Sequence, residues 1–159
     1  MFEPMIRKKQ QMELNEASAL LQTENTGVLS VLTEQGYPYG VPVNYAWKDS
    51  VIYFHSGKQG LKVRCMQKNN QVCFTVIGQD QVVGEELTTY YTSVVVFGKV
   101  RLAEGAERTK GLMALCEKYS SMLDFEIRKQ KCESNRTANL YVIEPVQITG
   151  KKALELVSE

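Results

Sequence analysis

Hydrophobic and polar residues alternate with a period of two over much of the chain, and this pattern predicts β-strands that bury one face. The alternation begins at Thr26, and the segments that follow it are rich in β-branched and aromatic residues. The six predicted strands span 26–33, 41–47, 51–55, 72–77, 90–102 and 139–149. Within them, Gly98 predicts a bulge or a close backbone approach, and Pro145 predicts a bend or an edge position.

Apolar residues spaced by three or four positions predict helices between the strands. Asn15 is predicted to cap the first helix, residues 122–132 are weakly helical, and residues 78–89 form a polar connection. The apolar positions that define the other helical faces are Ala17, Leu20 and Leu21, then Leu61, Cys65 and Met66, and then Leu112, Leu115, Cys116 and Tyr119.

Short turns at 34–38 and 48–50 join the first three strands, so these strands are expected to be antiparallel. Six strands with helices confined to the gaps favour a small antiparallel barrel over a Rossmann-like sheet. The G-x-G-x-x-G fingerprint of dinucleotide binding is absent. We expect a single domain over residues 1–159, with residues 1–12 as a polar arm.

Charge and residue counts exclude several classes of function. The 19 lysines and arginines nearly balance the 18 aspartates and glutamates, which argues against a nucleic-acid partner. The four cysteines include no C-x-x-C pair and the only histidine is His55, so a metal site is not expected. Because no run has transmembrane length and no signal peptide is recognisable, we expect a cytoplasmic protein with reduced thiols and no membrane partner.

The densest cluster of chemical groups is VIYFHSGKQGLK at 51–62, which runs from a strand through a glycine-containing loop into a helix. A helix N-terminus attracts anions, and Gly57 and Gly60 let the backbone approach one closely. Ser56 offers a hydroxyl and Lys62 a full positive charge. Two interpretations remain open at this point, a phosphate site or an ordinary polar turn with a solvated lysine.

His55 alternates with Tyr53 and Val51 and therefore shares their face of the strand. It is either a hydrogen-bonded structural residue or a catalytic group. Several aromatic residues either stack on a planar ligand or simply pack in the fold. They are Tyr37, Tyr39, Tyr45, Trp47, Tyr90 and Tyr91.

Five motifs follow one another along the chain. They are YPYGVPVNY at 37–45, IYFHS at 52–56 with Gly60 and Lys62 after it, VCF at 72–74, YTSVVVFG at 91–98 and ITGK at 148–151. In this order, and over about residues 6–151, they resemble the pyridoxamine 5′-phosphate oxidase-related FMN-binding split barrels. The chain is similar to the Nim-type (nitroimidazole resistance) branch of that family. The resemblance implies a mainly β fold, a six-stranded antiparallel split β-barrel with flanking helices.

The resemblance also implies a homodimer that binds flavin mononucleotide (FMN) in clefts between its subunits. By this carry-over Lys62, Ser56 and the loop amides at Gly57 and Gly60 hold the phosphate, while His55 lies close to the isoalloxazine ring. The residues expected to line the ring are Pro42, Val43, Asn44 and Tyr45. Ser93 is expected to reach the cofactor from the long strand, and Arg7 is a further candidate for the phosphate.

Two departures argue against a genuine pyridoxamine-phosphate oxidase. Leu61 stands where the oxidases carry the arginine of an Arg-Lys pair, and the chain ends LELVSE instead of in an arginine-rich segment. The expected activity is therefore that of an FMN-dependent oxidoreductase that reduces a small nitroaromatic or similar acceptor, with His55 as proton donor. The alternatives are a flavin- or haem-binding module without turnover, with His55 as the axial ligand of haem, and a dimeric scaffold that has lost its cofactor.

Overall fold

A computed structural model describes residues 2–157 of the chain, so Met1 of the predicted arm and Ser158 and Glu159 of the predicted domain lie outside the described residues. The strands are β1 (Thr26–Leu32), β2 (Pro38–Asn44), β3 (Ala46–Lys48), β4 (Val51–Gly57), β5 (Gln71–Val83), β6 (Thr88–Leu102) and β7 (Ala138–Lys152). The helices are α1 (Leu14–Thr23), α2 (Leu61–Lys68), α3 (Gly105–Tyr119) and α4 (Phe125–Ser134). No helix within residues 2–157 is long and apolar enough to cross a membrane.

The strands form one antiparallel sheet in the order β2-β1-β5-β6-β7-β4-β3. The edge strands β2 and β3 are consecutive in the chain and are separated only by Tyr45. The chain therefore passes from one edge of the sheet directly to the other, which is the arrangement of a split barrel. The predicted mainly β class is confirmed.

The strand count differs from the prediction because the segment predicted at 41–47 changes partner in its middle. Residues up to Asn44 pair with β1, whereas residues from Ala46 pair with β4. One predicted strand thus becomes two, and the six predicted strands become seven. The alternation of side chains continues through the break, so the pattern does not reveal it.

Two clusters of buried side chains lie on the two sides of the sheet. The larger fills the barrel interior, where Phe54, Phe74 and Leu29 are fully buried. The smaller lies between the sheet and α3, where Tyr53 and Leu140 pack against the helix. Strand β4 contributes to both clusters, so its neighbouring residues face opposite sides of the sheet.

The predictions for Gly98 and Pro145 meet at one position of the sheet. Gly98 pairs with Pro145 where the register between β6 and β7 shifts, which confirms the predicted bulge. A Cβ on Gly98 would lie 2.6 Å from a side-chain carbon of Ile143, so the backbone approach is also close. The pairing of β7 with β4 ends at Ile143. Pro145 lies beyond that point, so its lack of an N–H costs no hydrogen bond to β4.

Three local predictions need correction. The polar segment 78–89 is largely β-sheet, because β5 continues to Val83 and β6 begins at Thr88, with a 3₁₀ turn between them. This hairpin is mostly exposed and shows no alternation that would predict it. The cap of α1 is Glu13, whose backbone N–H donates to the Glu16 carboxylate, and not Asn15. The weak helix begins at Phe125, three residues later than predicted.

Candidate functional site

The junction between β4 and α2, residues 56–62, is a mostly exposed turn that contains two glycines, Gly57 and Gly60. Gly60 has a φ of +130°, a conformation that L side chains rarely adopt, and a Cβ there would meet no atom within 4 Å. Helix α2 starts directly after Gly60, and no side chain among residues 2–157 caps it. Its first N–H groups lack partners within the helix and are therefore able to donate hydrogen bonds to an anion.

Ser56 contributes a buried hydroxyl that has no partner. The residue is 4% exposed, and its Oγ forms no hydrogen bond with any of the described residues. Pairing with Asn139 of β7 fixes the backbone of Ser56 in the sheet. Because a buried hydroxyl without a partner costs roughly 1–3 kcal/mol, a ligand oxygen next to it would recover that energy.

Lys62 adds a positive charge in the first turn of α2. Its side chain is half-buried and forms no salt bridge within the part of the chain that the structure describes. The exposed side chains of Lys58 and Arg64 flank the same turn. The junction therefore combines lysine charge, helix amides and a hydroxyl, which are the groups that bind a phosphate.

His55 is exposed, while its neighbour Ser56 is buried. The predicted face is confirmed, since Tyr53 and Val51 pack on the α3 side of the sheet. The imidazole forms no hydrogen bond within residues 2–157, unlike a histidine held for structural reasons. It is therefore available to a ligand at the end of β4.

The four predicted ring-lining residues separate into two kinds. Pro42 and Asn44 are exposed on edge strand β2, and Val43 is half-buried between them. Tyr45, by contrast, is 0% exposed and packs edge-on against Phe74 with ring centroids 5.0 Å apart. The side chain of Tyr45 therefore belongs to the core and not to the open surface, and this burial raises the pKa of its hydroxyl.

Tyr119 of α3 holds the chain at the point where β2 becomes β3. Its hydroxyl accepts a hydrogen bond from the Tyr45 N–H at 3.0 Å and lies 2.7 Å from the Tyr45 carbonyl oxygen, to which it can donate. Lys118 lies over the Tyr45 ring, 4.2 Å from its centroid, and burial lowers the pKa of this lysine. Sequence reasoning missed this contact because Tyr45 and Tyr119 are 74 positions apart in the chain.

Ser93 lies far from the junction within one chain. Ser56 of β4 pairs with Asn139 of β7. Ser93 of β6 pairs with Lys151, which lies twelve residues further along β7 (151 minus 139). At about 3.3 Å per residue this separates them by up to roughly 40 Å. Arg7 shares the Ser93 end of the molecule, because it borders a cavity that is also lined by Thr89, Tyr91 and Ala153.

The predicted site residues thus form two groups at opposite ends of β7. The first contains the junction, His55 and the end of β2, and the second contains Ser93 and Arg7. The β3–β4 hairpin pairs Ala46 with Tyr53, so the end of β2 lies beside the His55 end of β4. Asn139, opposite Ser56, is a half-buried polar neighbour that the sequence did not indicate, since nothing local pairs β4 with β7.

A sequence model of the family described as pyridoxamine 5′-phosphate oxidase matches residues 13–152. No curated protein matches the chain at a significant level.

Several solved structures share the fold. A candidate 5-nitroimidazole antibiotic resistance protein from Bacteroides thetaiotaomicron is 23% identical, with a TM-score of 0.75 over 89% of this chain and 85% of that one. An FAD-binding protein from Mesorhizobium loti is 21% identical, with a TM-score of 0.62 over 91% and 97% of the two chains. An FAD- and haem-binding protein from Mycobacterium smegmatis is 15% identical, with a TM-score of 0.73 over 91% and 73%.

Proposed function

The chain belongs to the pyridoxamine 5′-phosphate oxidase family, and from that premise we propose that it binds FMN at the β4–α2 junction and acts as an oxidoreductase. The observation that carries the proposal is the buried, unpartnered hydroxyl of Ser56 in the junction that leads into the uncapped helix and Lys62. The proposed substrate is a small nitroaromatic or similar electron acceptor. The likeness to a candidate nitroimidazole resistance protein supports this choice at the level of the fold.

The junction fits the phosphate of FMN in charge and in hydrogen bonding. A phosphate ester carries close to two negative charges at neutral pH and accepts several hydrogen bonds. The amides of α2 and the Ser56 hydroxyl supply donors, and Lys62 supplies charge. Gly60 leaves the approach open, whereas a side chain with φ near +130° would be strained there.

The end of β2 fits the planar ring of the cofactor. As an edge strand, β2 pairs on one side only, so its outward N–H and C=O groups are free for the polar edge of an isoalloxazine. Pro42 and Asn44 are exposed on it, and its end lies near His55. Bound FMN would supply the electron transfer that amino-acid side chains lack.

His55 supplies a proton at this place. Its imidazole is exposed and free of hydrogen bonds within residues 2–157, so it can face an acceptor molecule bound against the ring. An imidazole titrates near neutral pH and can donate a proton to a substrate that gains electrons. In this role His55 affects turnover and contributes little to the binding of FMN.

A homodimer completes the proposed site. Ser93 and Arg7 lie at the far end of β7 and reach the junction only from a second copy of the chain. The outer face of β1, β5, β6 and β7 carries exposed apolar side chains around a cavity of about 520 Å³, a pattern typical of an interface. The side chains of Leu32, Phe97 and Val146 line this cavity and are 48%, 37% and 59% exposed. Ile77 of β5 lies outside the cavity and is 56% exposed.

The cofactor released from the purified protein tests the proposal. Protein expressed without added flavin is denatured, and the supernatant is examined by absorption and mass spectrometry. FMN in an amount approaching one per chain supports the proposal. A Soret band before denaturation supports the haem-binding alternative, and a colourless protein that does not quench added FMN fluorescence supports the scaffold alternative. Either of these results overturns the proposed function.

A further inference from the structure

Cys116 and Cys132 face each other across the α3–α4 helical pair. Their Sγ atoms lie 3.0 Å apart, about one ångström more than the ~2.05 Å of a disulfide bond. Both thiols are free. The other two cysteines lie elsewhere, Cys65 in the barrel core and Cys73 on β5. Among residues 2–157, Cys116 and Cys132 are therefore the one pair of cysteines in contact.

Cys132 is the one buried residue of α4, at 4% exposure. The apolar residues Phe125 and Ile127 are 51% and 46% exposed, so the rest of the helix contributes little burial. The Asp124 side chain caps the helix by accepting from the Glu126 N–H at 2.9 Å. The contact between the two cysteines therefore helps to hold α4 against α3, together with the hydrogen bond that Arg108 of α3 donates to the Asn135 carbonyl oxygen at the end of α4.

The two thiols differ in how readily they react. Cys116 is half-buried, whereas Cys132 is enclosed, and burial together with Cys116 raises the pKa of Cys132 to about 12. The positive charges of Arg108 and Arg128 act on Cys132 in the opposite direction but do not overcome the burial. An oxidant from solution therefore meets Cys116 first.

We propose that Cys116 and Cys132 are a redox modification site that forms a reversible disulfide and ties α4 to α3. The oxidant is a low-molecular-weight disulfide such as oxidised glutathione. The Cys116 thiolate attacks one of its sulfurs, the sulfur–sulfur bond breaks, and one glutathione thiolate leaves. Cys132 then loses its proton and attacks the Cys116 sulfur, which forms the Sγ–Sγ bond and releases the second glutathione. Two protein thiols are oxidised and one disulfide is reduced to two thiols.

The bond closes a loop from residue 116 to residue 132 and restricts the unfolded chain. Cross-links of this span stabilise proteins when the folded geometry accommodates them. Little movement is needed here, because the sulfurs are already in contact. We therefore expect the oxidised protein to unfold at a higher temperature than the reduced protein.

Thiol titration of the full chain tests the assignment. The protein is equilibrated in glutathione buffers of increasing oxidised fraction, denatured in N-ethylmaleimide, and analysed by intact mass and peptide mapping. Wild-type protein is expected to lose two of its four alkylatable thiols together, with a linked peptide that joins Cys116 to Cys132 and that disappears on reduction. The Cys73→Ser variant is the matched control and is expected to form the same link.

Three results would overturn the proposal. One is full alkylation of all four cysteines in buffers that oxidise an exposed dithiol. Another is a glutathione adduct that persists on Cys116 in the wild-type protein. Such an adduct is expected only in the Cys132→Ser variant, which lacks the thiol that displaces glutathione. The third is a melting temperature that is the same for oxidised and reduced wild type, which would show that the disulfide does not tie α4 to α3. The Cys116→Ser variant, which cannot form the bond, is expected to melt at the same temperature in both buffers.

Discussion

The side chains of His55 and Ser56 face opposite sides of strand β4. Ser56 points to the barrel side with Phe54 and is 4% exposed, while His55 is exposed on the side of Tyr53. Two neighbouring residues of one motif therefore reach different surroundings. In the proposed function Ser56 serves the phosphate and His55 serves the acceptor, so their substitutions have separable effects.

Replacing His55 with alanine is expected to slow turnover and to leave FMN affinity within about threefold of wild type. The reason is that His55 supplies a proton, which is worth about 10²-fold or more in rate, and does not bind the phosphate. Anaerobic rapid mixing of the reduced protein with a nitroaromatic compound measures the rate of flavin reoxidation. Equal rates in wild type and His55→Ala would remove His55 from the chemistry.

Replacing Ser56 with alanine is expected to keep or raise the stability of the cofactor-free protein and to weaken the binding of FMN. In the cofactor-free protein the change removes an unpartnered buried hydroxyl, so unfolding free energy stays equal or rises by about 1 kcal/mol. With FMN the lost donor weakens binding by about fivefold to tenfold.

Urea unfolding and FMN titration measure the two effects of Ser56→Ala. The exposed Ser121, changed to alanine, is the control and is expected to alter neither. A large loss of stability in cofactor-free Ser56→Ala would show that its hydroxyl already has a partner, and the phosphate assignment would lose its main support.

Replacing Tyr119 with phenylalanine is expected to destabilise the fold by about 1–3 kcal/mol. The hydroxyl serves the N–H and C=O of Tyr45, and its removal leaves these groups unpaired where β2 becomes β3. Urea unfolding measures the loss. Tyr37, which is 73% exposed, is the control, and its change to phenylalanine is expected to have no effect. If both variants have the same unfolding free energy, the Tyr119 hydroxyl does not hold the chain where β2 becomes β3.

If the proposed homodimer forms through this face, replacing Phe97 with glutamate is expected to convert it to monomers and to weaken FMN binding at the same time. A charge on the apolar outer face opposes its burial against a second copy. Sedimentation equilibrium measures the mass, and fluorescence quenching measures FMN affinity. The change of Met122 to glutamate is the control, because Met122 is 80% exposed outside this face. A dimeric Phe97→Glu variant would contradict the proposed interface, and a monomer with full FMN affinity would contradict a shared site.

The parts of the fold and of the site that depend on neighbouring residues were predictable from the sequence. The junction from Ser56 to Lys62 is a strand, a glycine turn and a helix in succession, and the sequence pattern shows each of them. The parts that depend on distant residues were not predictable. The alternation of side chains runs unchanged through Tyr45, although the partner strand changes there and the distant residue Tyr119 bonds to the backbone at that point. The contact between Cys116 and Cys132 depends in the same way on how α3 and α4 pack.

The central claim is that Lys62 and the β4–α2 junction hold the phosphate of FMN. Its most direct test compares FMN with riboflavin, which has the same ring and no phosphate, on wild-type protein and on Lys62→Ala. Because a charge-assisted contact to phosphate is worth at least about tenfold in affinity, wild type is expected to prefer FMN and Lys62→Ala to lose at least tenfold for FMN alone. An equal loss for both ligands, or no loss for FMN, would contradict the account.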